Sequence, residues 1–248
     1  MRVAWFSAGC SSFVAAYYGR PDRIIYIDVA NQHPDSMRFL RDAERILGRE
    51  IEIIKSSEYA SVDDVIERRR YINGAAGAAC TLLLKKRVRQ QWERDNLTGD
   101  DVYIWGYDAN EKKRAERISS AQLEARNEFP LIERGLTKSD CHGICSRLGL
   151  KRPAMYDMGY PNNNCIGCVK GGMGYWNKIR KDFPDVFERR AKQEREIGHS
   201  CIKGVFLDEL DPNRGNMMTE VMPSCGFACE ALEGQEAGKK TGGDAHGN

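Results

Sequence analysis

Short apolar runs alternate with stretches of helical period through the first 150 residues, and this alternation restricts the fold more than any other feature. The runs "RVAWFS" (Arg2–Ser7), "RIIYIDVA" (Arg23–Ala30), "EIEIIKS" (Glu50–Ser56) and "DVYIWGYD" (Asp101–Asp108) are rich in β-branched and aromatic residues and read as strands. Between them "SFVAAYYG" reads as a helix that stops at Gly19. In "HPDSMRFLRDAERILG", Pro34 and Asp35 open a helix, Met37, Leu40, Ala43 and Leu47 recur at helical spacing, and Gly48 closes it. "SVDDVIERRRYI" and "TLLLKKRVRQQWERD" are helical, and "FPLIERGLTKSDCHGICSRLG" reads as a short strand, a turn and a helix capped by Thr137 or Ser139. The expectation is an α/β fold, a doubly wound and mostly parallel sheet with helices on both faces. Ligands of such sheets sit outside the carboxyl ends of the strands, near the point where strand order reverses. That rule selects Ser7–Ser12, Asp28 and the stretch from Gly106 to Arg117.

The alternation stops near Lys151. Beyond it lies a Cys-rich segment in which "YWNKIRKDFPDVFERRAKQEREIGHSC" reads as an amphipathic helix pair of mixed charge, a solvated face before it is an RNA guide. After Glu233, "GQEAGKKTGGDAHGN" is low in apolar residues, so a disordered tail is expected. The division is therefore 1–150, an α/β domain; 151–233, a Cys-rich helical and loop segment; and 234–248, the tail. With 38 Lys and Arg against 36 Asp and Glu, whole-chain charge gives no argument for nucleic acid. No run reaches the ~18 apolar residues of a membrane span. The N-terminal "MRVAWFSAGCSS" reads as a first strand and not as a signal peptide, so a cytoplasmic protein is expected. Oligomeric state is not readable.

The loop "FSAGCSS" supplies a glycine and hydroxyls ahead of a helix, a combination that lets backbone approach a phosphate and donate to it. It resembles the PP-loop of the adenine-nucleotide α-hydrolase superfamily, whose usual form is Ser-Gly-Gly-x-Asp-Ser. Here Ser7-Ala8-Gly9-Cys10-Ser11-Ser12 has Ala at the second position and Ser11 in place of Asp. "IYIDVANQHPDSMRFL" resembles that group's second strand with its acidic residue, here Asp28. "AACTLLLKKRVRQQW" resembles its segment in which a cysteine precedes a lysine-bearing helix. "WGYDANEKKRAERI" aligns Gly106, Glu111 and Arg114 with a third conserved stretch, and Thr137 and Asp140 match a fourth. The resemblance runs from about Arg2 to Trp176 and is closest to the phosphoadenosine phosphosulfate (PAPS) reductase family, of phage and bacterial type. It implies an enzyme that binds an adenine nucleotide (PAPS, APS or ATP) through Ser7, Gly9, Ser11, Ser12, Asp28, Gly106, Glu111 and Arg114. The missing Asp counts against ATP-pyrophosphatase chemistry more than against nucleotide binding.

Nine cysteines in a reducing compartment point to metal or redox use, and some of them to small buried hydrophobes. The pair in "NNNCIGCVKGGMGYW" is by itself a metal knuckle, a redox dithiol or a coincidence. The resemblance implies that Cys80 and the Cys165–Cys168 pair hold a [4Fe–4S] cluster, zinc being the alternative. Cys201, in a polar, Gly-flanked turn, is the candidate fourth ligand. Cys141 and Cys145, four apart on one helix face, are ligands or core. Cys10 is likewise core or one of the metal or redox thiols. "SCGF" at Cys225 resembles the terminal Glu-Cys-Gly-Leu of sulfonucleotide reductases, with Ser224 in place of Glu. That match implies Cys225 as nucleophile, Cys229 as a resolving thiol and a thioredoxin-like thiol donor as partner. Around Cys80 cluster Arg68, Arg69, Arg70, Lys85, Lys86, Arg87 and Arg89, of which Lys85 is the candidate catalytic cation. His33 and His199 read as polar turn residues. The leading expectation is thiol-dependent sulfonucleotide reduction. The alternatives are ATP-dependent sulfur transfer to tRNA or DNA, and a metal-stabilised nucleotide-binding module without turnover.

Overall fold

The computed structural model describes residues 1–74, 77–121 and 125–220. In chain order its elements begin with β1 (Arg2–Phe6), α1 (Cys10–Gly19), β2 (Arg23–Asp28), α2 (Asp35–Leu47), β3 (Ile51–Lys55) and α3 (Val62–Arg69). A two-residue hairpin, β4 (Asn73–Gly74) and β5 (Gly77–Ala78), leads into α4 (Ala79–Thr81), a π-helical turn Leu82–Lys86 and α5 (Arg87–Asn96). Then come β6 (Val102–Ile104), α6 (Lys112–Ala121), β7 (Arg126–Glu128), α7 (Pro130–Glu133), α8 (Lys138–Arg147), α9 (Ala154–Asp157), α10 (Met173–Asp182) and α11 (Pro184–Ile197).

The main sheet has the order β3-β2-β1-β6-β7 with every pairing parallel. This is the expected α/β architecture. The central strand shows why its sequence is apolar throughout. Ala4 and Phe6 enter a core with α1, α2 and α8, while Val3 and Trp5 enter a second core with Trp92, Ala115 and Ile118. A strand covered on both faces has no polar side to alternate with. A third core joins α3 and the π turn to the Cys-rich segment and to α10 and α11. Among the described residues, no helix is long and apolar enough to cross a membrane.

Two elements differ from expectation. The segment read as a strand at "FPLI" is the short helix α7, with Pro130 in its first turn, where the missing N–H costs nothing. The fifth strand lies just before it as Arg126–Glu128, a polar triplet with no apolar pattern. Pairing with β6 and cross-strand polar contacts hold it: Arg2 ion-pairs with Glu128 at 2.6 Å, and Trp105 Nε1 donates to Asn127 at 2.7 Å. The helix expected over "TLLLKKRVRQQWERD" is interrupted by the π turn, a rare feature that concentrates at functional sites and here contains Lys85. Cys225 and Cys229 lie outside the described residues.

Candidate functional site

Strand order reverses between β1 and β6, so the loops leaving these two strands flank the switch point. They touch. A Cβ built on Gly106 would stand 2.8 Å from Ser12 Cα and 2.9 Å from Ser12 N, so only glycine lets the β6 loop lie against the start of α1. Within the β1 loop the buried Ser12 side chain is an internal brace. Its Oγ accepts from the amides of Ser7 (3.1 Å) and Gly9 (3.3 Å) and donates to the Gly9 carbonyl (2.9 Å). Ser7 is exposed, Ser11 is half-buried, and the Ser7 hydroxyl donates to Ser12 Oγ. From the Cys-rich segment, the buried Asn163 amide donates to the Ala8 carbonyl (2.8 Å) and to Ser36 Oγ (3.0 Å). The Tyr156 hydroxyl lies against Gly9, 3.0 Å from where a Cβ would stand. The loop is thus braced internally by Ser12 and held from the Cys-rich segment by Asn163.

Ala8 sits at φ 54, in the left-handed region that costs a side-chain-bearing residue about 1–2 kcal/mol. Glycine avoids that cost and returns part of it as unfolded-chain entropy. Ala8→Gly is expected to raise stability by about 0.5–1 kcal/mol, read as a higher urea midpoint at constant slope.

Behind Gly106, Asp108 caps a turn by accepting from the Asn110 amide (2.8 Å), and Glu111 reaches back to the Asp108 amide (3.2 Å). Arg114 pairs with Glu111 at 2.7 Å and lies over the Tyr107 ring. Glu111 and Arg114, both read as nucleotide ligands, therefore also shape the β6 loop. Burial lifts the Asp108 carboxyl above its ordinary range. Nearby is Lys138 in the first turn of α8, its ammonium donating to the Pro161 carbonyl (2.6 Å) and to Asn162 Oδ1. Burial lowers its pKa, against the pull of Glu111 and Asp108. Lys138, Asn163 and Tyr156 did not emerge from the sequence. The Thr137–Asp140 capping box does place Lys138 at a helix start, but nothing in the pattern points that start at the β1 loop. Asp28 ends β2, half-buried, on the same edge of the sheet.

The thiols form two groups. Cys165, Cys168 and Cys201 are buried in the third core, and half-buried Cys80 packs against it. The Cys165–Cys168 turn is built around Gly167 at φ 69 and tied by Tyr175, whose hydroxyl accepts from the Cys168 amide (2.8 Å) and donates to the Cys165 carbonyl (3.1 Å). The fully buried Glu194 pins the Cys201 loop, accepting from the amides of Cys201 (2.5 Å) and Leu207 (2.7 Å). Burial, then the adjacent Glu194 charge, pushes the Cys201 thiol well up. Among the described residues, no group of three or more His, Cys, Asp or Glu side chains is arranged to hold a metal ion. The four thiols border one apolar core without forming such a group among the described residues. The second group, Cys10 with Cys141 and Cys145, lies in the α1/α8 core.

Arg68, Arg70 and Arg89, three of the seven residues of the basic cluster, have structural partners. Arg68 stacks on Tyr59 and lies 3.6 Å from Asp64, Arg70 donates to the Glu196 carbonyl, and Arg89 is buried beside Glu93. His33 and His199 are turn residues, accepting from the Asp35 amide and bonding the Asn73 carbonyl respectively.

No family model matches the chain. An uncharacterized protein of Methanocaldococcus jannaschii is 24% identical over 80% of this chain. The chain spans 43% of that relative's length. Among solved structures, the phosphate complex of phosphoadenylyl-sulfate (PAPS) reductase from Candida auris is similar, with a TM-score of 0.48 and 13% identity. The match covers 66% of this chain and 80% of that one.

Proposed function

We propose that the chain is a sulfonucleotide reductase-like enzyme of the PAPS reductase family, with residues 1–150 binding the nucleotide and 151–233 completing a thiol-rich site ahead of the 234–248 tail. The observation that carries this reading is the contact of the Ser7–Ser12 loop with Gly106 at the switch point, backed by the order of motifs along the chain. The amides at the start of α1 and the hydroxyls of Ser7 and Ser11 receive the phosphate, and Lys85 neutralises the sulfate. Asp28, Gly106, Glu111 and Arg114 frame the nucleoside.

In the reaction the Cys225 thiolate attacks the sulfate sulfur. The S–S bond forms as the S–O bond breaks, and its electron pair leaves on the nucleotide phosphate. A dithiol carrier of thioredoxin type then attacks the Cys225 sulfur, sulfite departs, and the carrier's second thiol frees Cys225. Cys80, Cys165, Cys168 and Cys201 are the residues that would hold a [4Fe–4S] cluster, whose positive core would supply electrostatic support for the bound sulfate. Free thiols in this number fit the cytoplasm.

Reduced protein given PAPS or APS and thioredoxin is expected to release sulfite, and Cys225→Ser is expected to release none. Anaerobic purification with iron and acid-labile sulfide analysis reads the cluster directly. Sulfite release by the Cys225→Ser protein refutes the nucleophile, and a colourless, iron-free anaerobic preparation refutes the cluster.

A further inference from the structure

Beyond α11 the chain returns along α10 in the opposite direction and reaches the first turn of that helix at Glu220. Arg180 donates to the carbonyls of Leu207 (3.1 Å) and Leu210 (2.8 Å). One turn nearer the N-terminus of α10, the buried Asn177 amide donates to the carbonyls of Asp211 (2.9 Å) and Arg214 (2.8 Å). One turn further still, Gly174 and Gly215 meet backbone to backbone. A Cβ on Gly174 would collide with Met217 N and stand 2.7 Å from the Asn216 carbonyl carbon, and one on Gly215, at φ 83, would collide with Gly174 N. Asn216 then winds a turn, its side chain accepting from the Met218 amide (3.0 Å) and its carbonyl from the Glu220 amide (3.1 Å). That turn sets the Glu220 carboxylate on the amides of Gly174 (2.6 Å) and Tyr175 (3.1 Å).

Apolar burial does not explain this course. Residues 211–216 are exposed, and of residues 211–220 Met217 alone packs against the third core. Side-chain donors on α10, a glycine pair and a carboxylate hold the segment instead. The first turn of α10 has no acidic residue and no side-chain cap of its own, so an anion brought from elsewhere in the chain suits its N-terminus.

The thiol turn lies at the same end of α10. Tyr175, whose amide donates to Glu220, is also the residue whose hydroxyl ties Cys165 to Cys168. Two residues before Cys165, Asn163 donates to the Ala8 carbonyl of the nucleotide loop. Glu220, the thiol turn and the Ser7–Ser12 loop are thus joined through Tyr175 and Asn163. Cys225 follows Glu220 by five residues, a length that spans at most ~18 Å. Held at Arg214 instead, the chain would have eleven residues and a reach of ~40 Å.

We propose that residues 211–220 are an anchoring strap, with Glu220 its positioning residue, that confines Cys225 to the space beside the Cys165–Cys168 turn and the nucleotide loop. The attack of Cys225 on sulfur rests on the function proposed above, and the confinement does not. The effective concentration of a tethered group falls as about the −3/2 power of tether length. Without the Glu220 carboxylate the root moves back to Met217, still seated on Gly174, and the tether grows from five residues to eight, an about twofold dilution. Without the glycine seat the root moves back to Arg214 and the tether to eleven residues, an about threefold dilution.

The test treats the reduced full chain with a short reagent that joins a thiol to an amine, and reads the Cys225–Lys170 link by peptide mass spectrometry. Lys170 directly precedes the two glycines that lead into α10. Glu220→Ala removes the carboxylate. Gly174→Ala blocks the seat while giving α10 a better helix former. Link yield is expected to fall about twofold in Glu220→Ala and about threefold in Gly174→Ala, with faster hydrogen exchange at the Tyr175 amide and unchanged far-ultraviolet circular dichroism in both. The kcat for sulfite release is expected to fall by the same factors with KM for PAPS or APS unchanged. Glu220→Gln, which keeps one acceptor oxygen, is expected to lie between wild type and Glu220→Ala. Wild-type link yield in Gly174→Ala once its Tyr175 amide exchanges faster overturns the anchor, and so does a KM that rises while kcat holds. If the wild-type protein forms no sulfite, the functional reading fails, and the link yields alone decide the anchor.

Discussion

Gly106→Val is expected to weaken adenine-nucleotide binding by about 100-fold or more, which corresponds to about 3 kcal/mol, while leaving the far-ultraviolet circular dichroism unchanged. The added Cβ would lie 2.8 Å from Ser12 Cα, 2.9 Å from Ser12 N and 3.1 Å from the Ser11 carbonyl carbon. All of these are backbone atoms, so no rotamer change relieves the clash. The β1 loop must move as a body, and its movement separates the Ser7 and Gly9 amides from Ser12 Oγ. The sheet itself is spared because Gly106 lies beyond β6, whose pairing with β1 and β7 ends at Ile104. Gly106→Ala presents the same first atom without the branches and is expected to lose about tenfold. Titration calorimetry reads both variants. Wild-type affinity in Gly106→Val would place the nucleotide elsewhere, and the contact between the two loops would then be packing alone.

What could be read from the chain alone follows from where each element draws its stability. The strands β1 and β2 are apolar because they are buried, and their burial was written in Val3 to Phe6 and Ile24 to Ile27, whereas the edge strand β3 buries Ile51 alone. The strand β7 has no such record. Arg126, Asn127 and Glu128 form a strand only because β6 offers an unpaired edge, which is a property of the assembled sheet. The π turn is equally silent, since Leu82–Lys86 carries ordinary helix formers. At the site, Ser7–Ser12 and Gly106 were legible as small residues at strand ends. Their mutual contact was not, because it joins distant loops. Cys80, Cys165 and Cys168 were grouped through resemblance and Cys201 by its Gly-flanked turn, and all four border one apolar core. For Cys10, Cys141 and Cys145 the sequence left core and ligand open, and the packing of α1 on α8 buries all three in one core.

Glu194→Ala is expected to destabilise the protein by about 2–5 kcal/mol, seen as a large fall in the urea midpoint. The Glu194 carboxylate is wholly buried, and its two oxygens take different backbone donors, Cys201 N on Oε1 and Leu207 N on Oε2. These two bonds define the loop between α11 and the 3-10 turn Leu207–Glu209. Burial lifts the carboxyl, and the two amides pull it back, so the site is arranged around an acceptor that water does not reach. Truncation to Ala strands both N–H groups, and each buried donor without a partner costs about 1–3 kcal/mol. Glu194→Gln keeps one acceptor oxygen but sets an NH2 against the other amide, so it is expected to fall about halfway between wild type and Ala. That graded series separates loss of acceptors from loss of side-chain volume, because Gln fills the same space. Leu207 and Leu210 are also buried beside this loop and are the competing explanation for its position. If Glu194→Ala unfolds at the wild-type urea concentration, those leucines hold the loop without help, and Cys201 owes its place beside Cys80 to apolar packing rather than to the carboxylate.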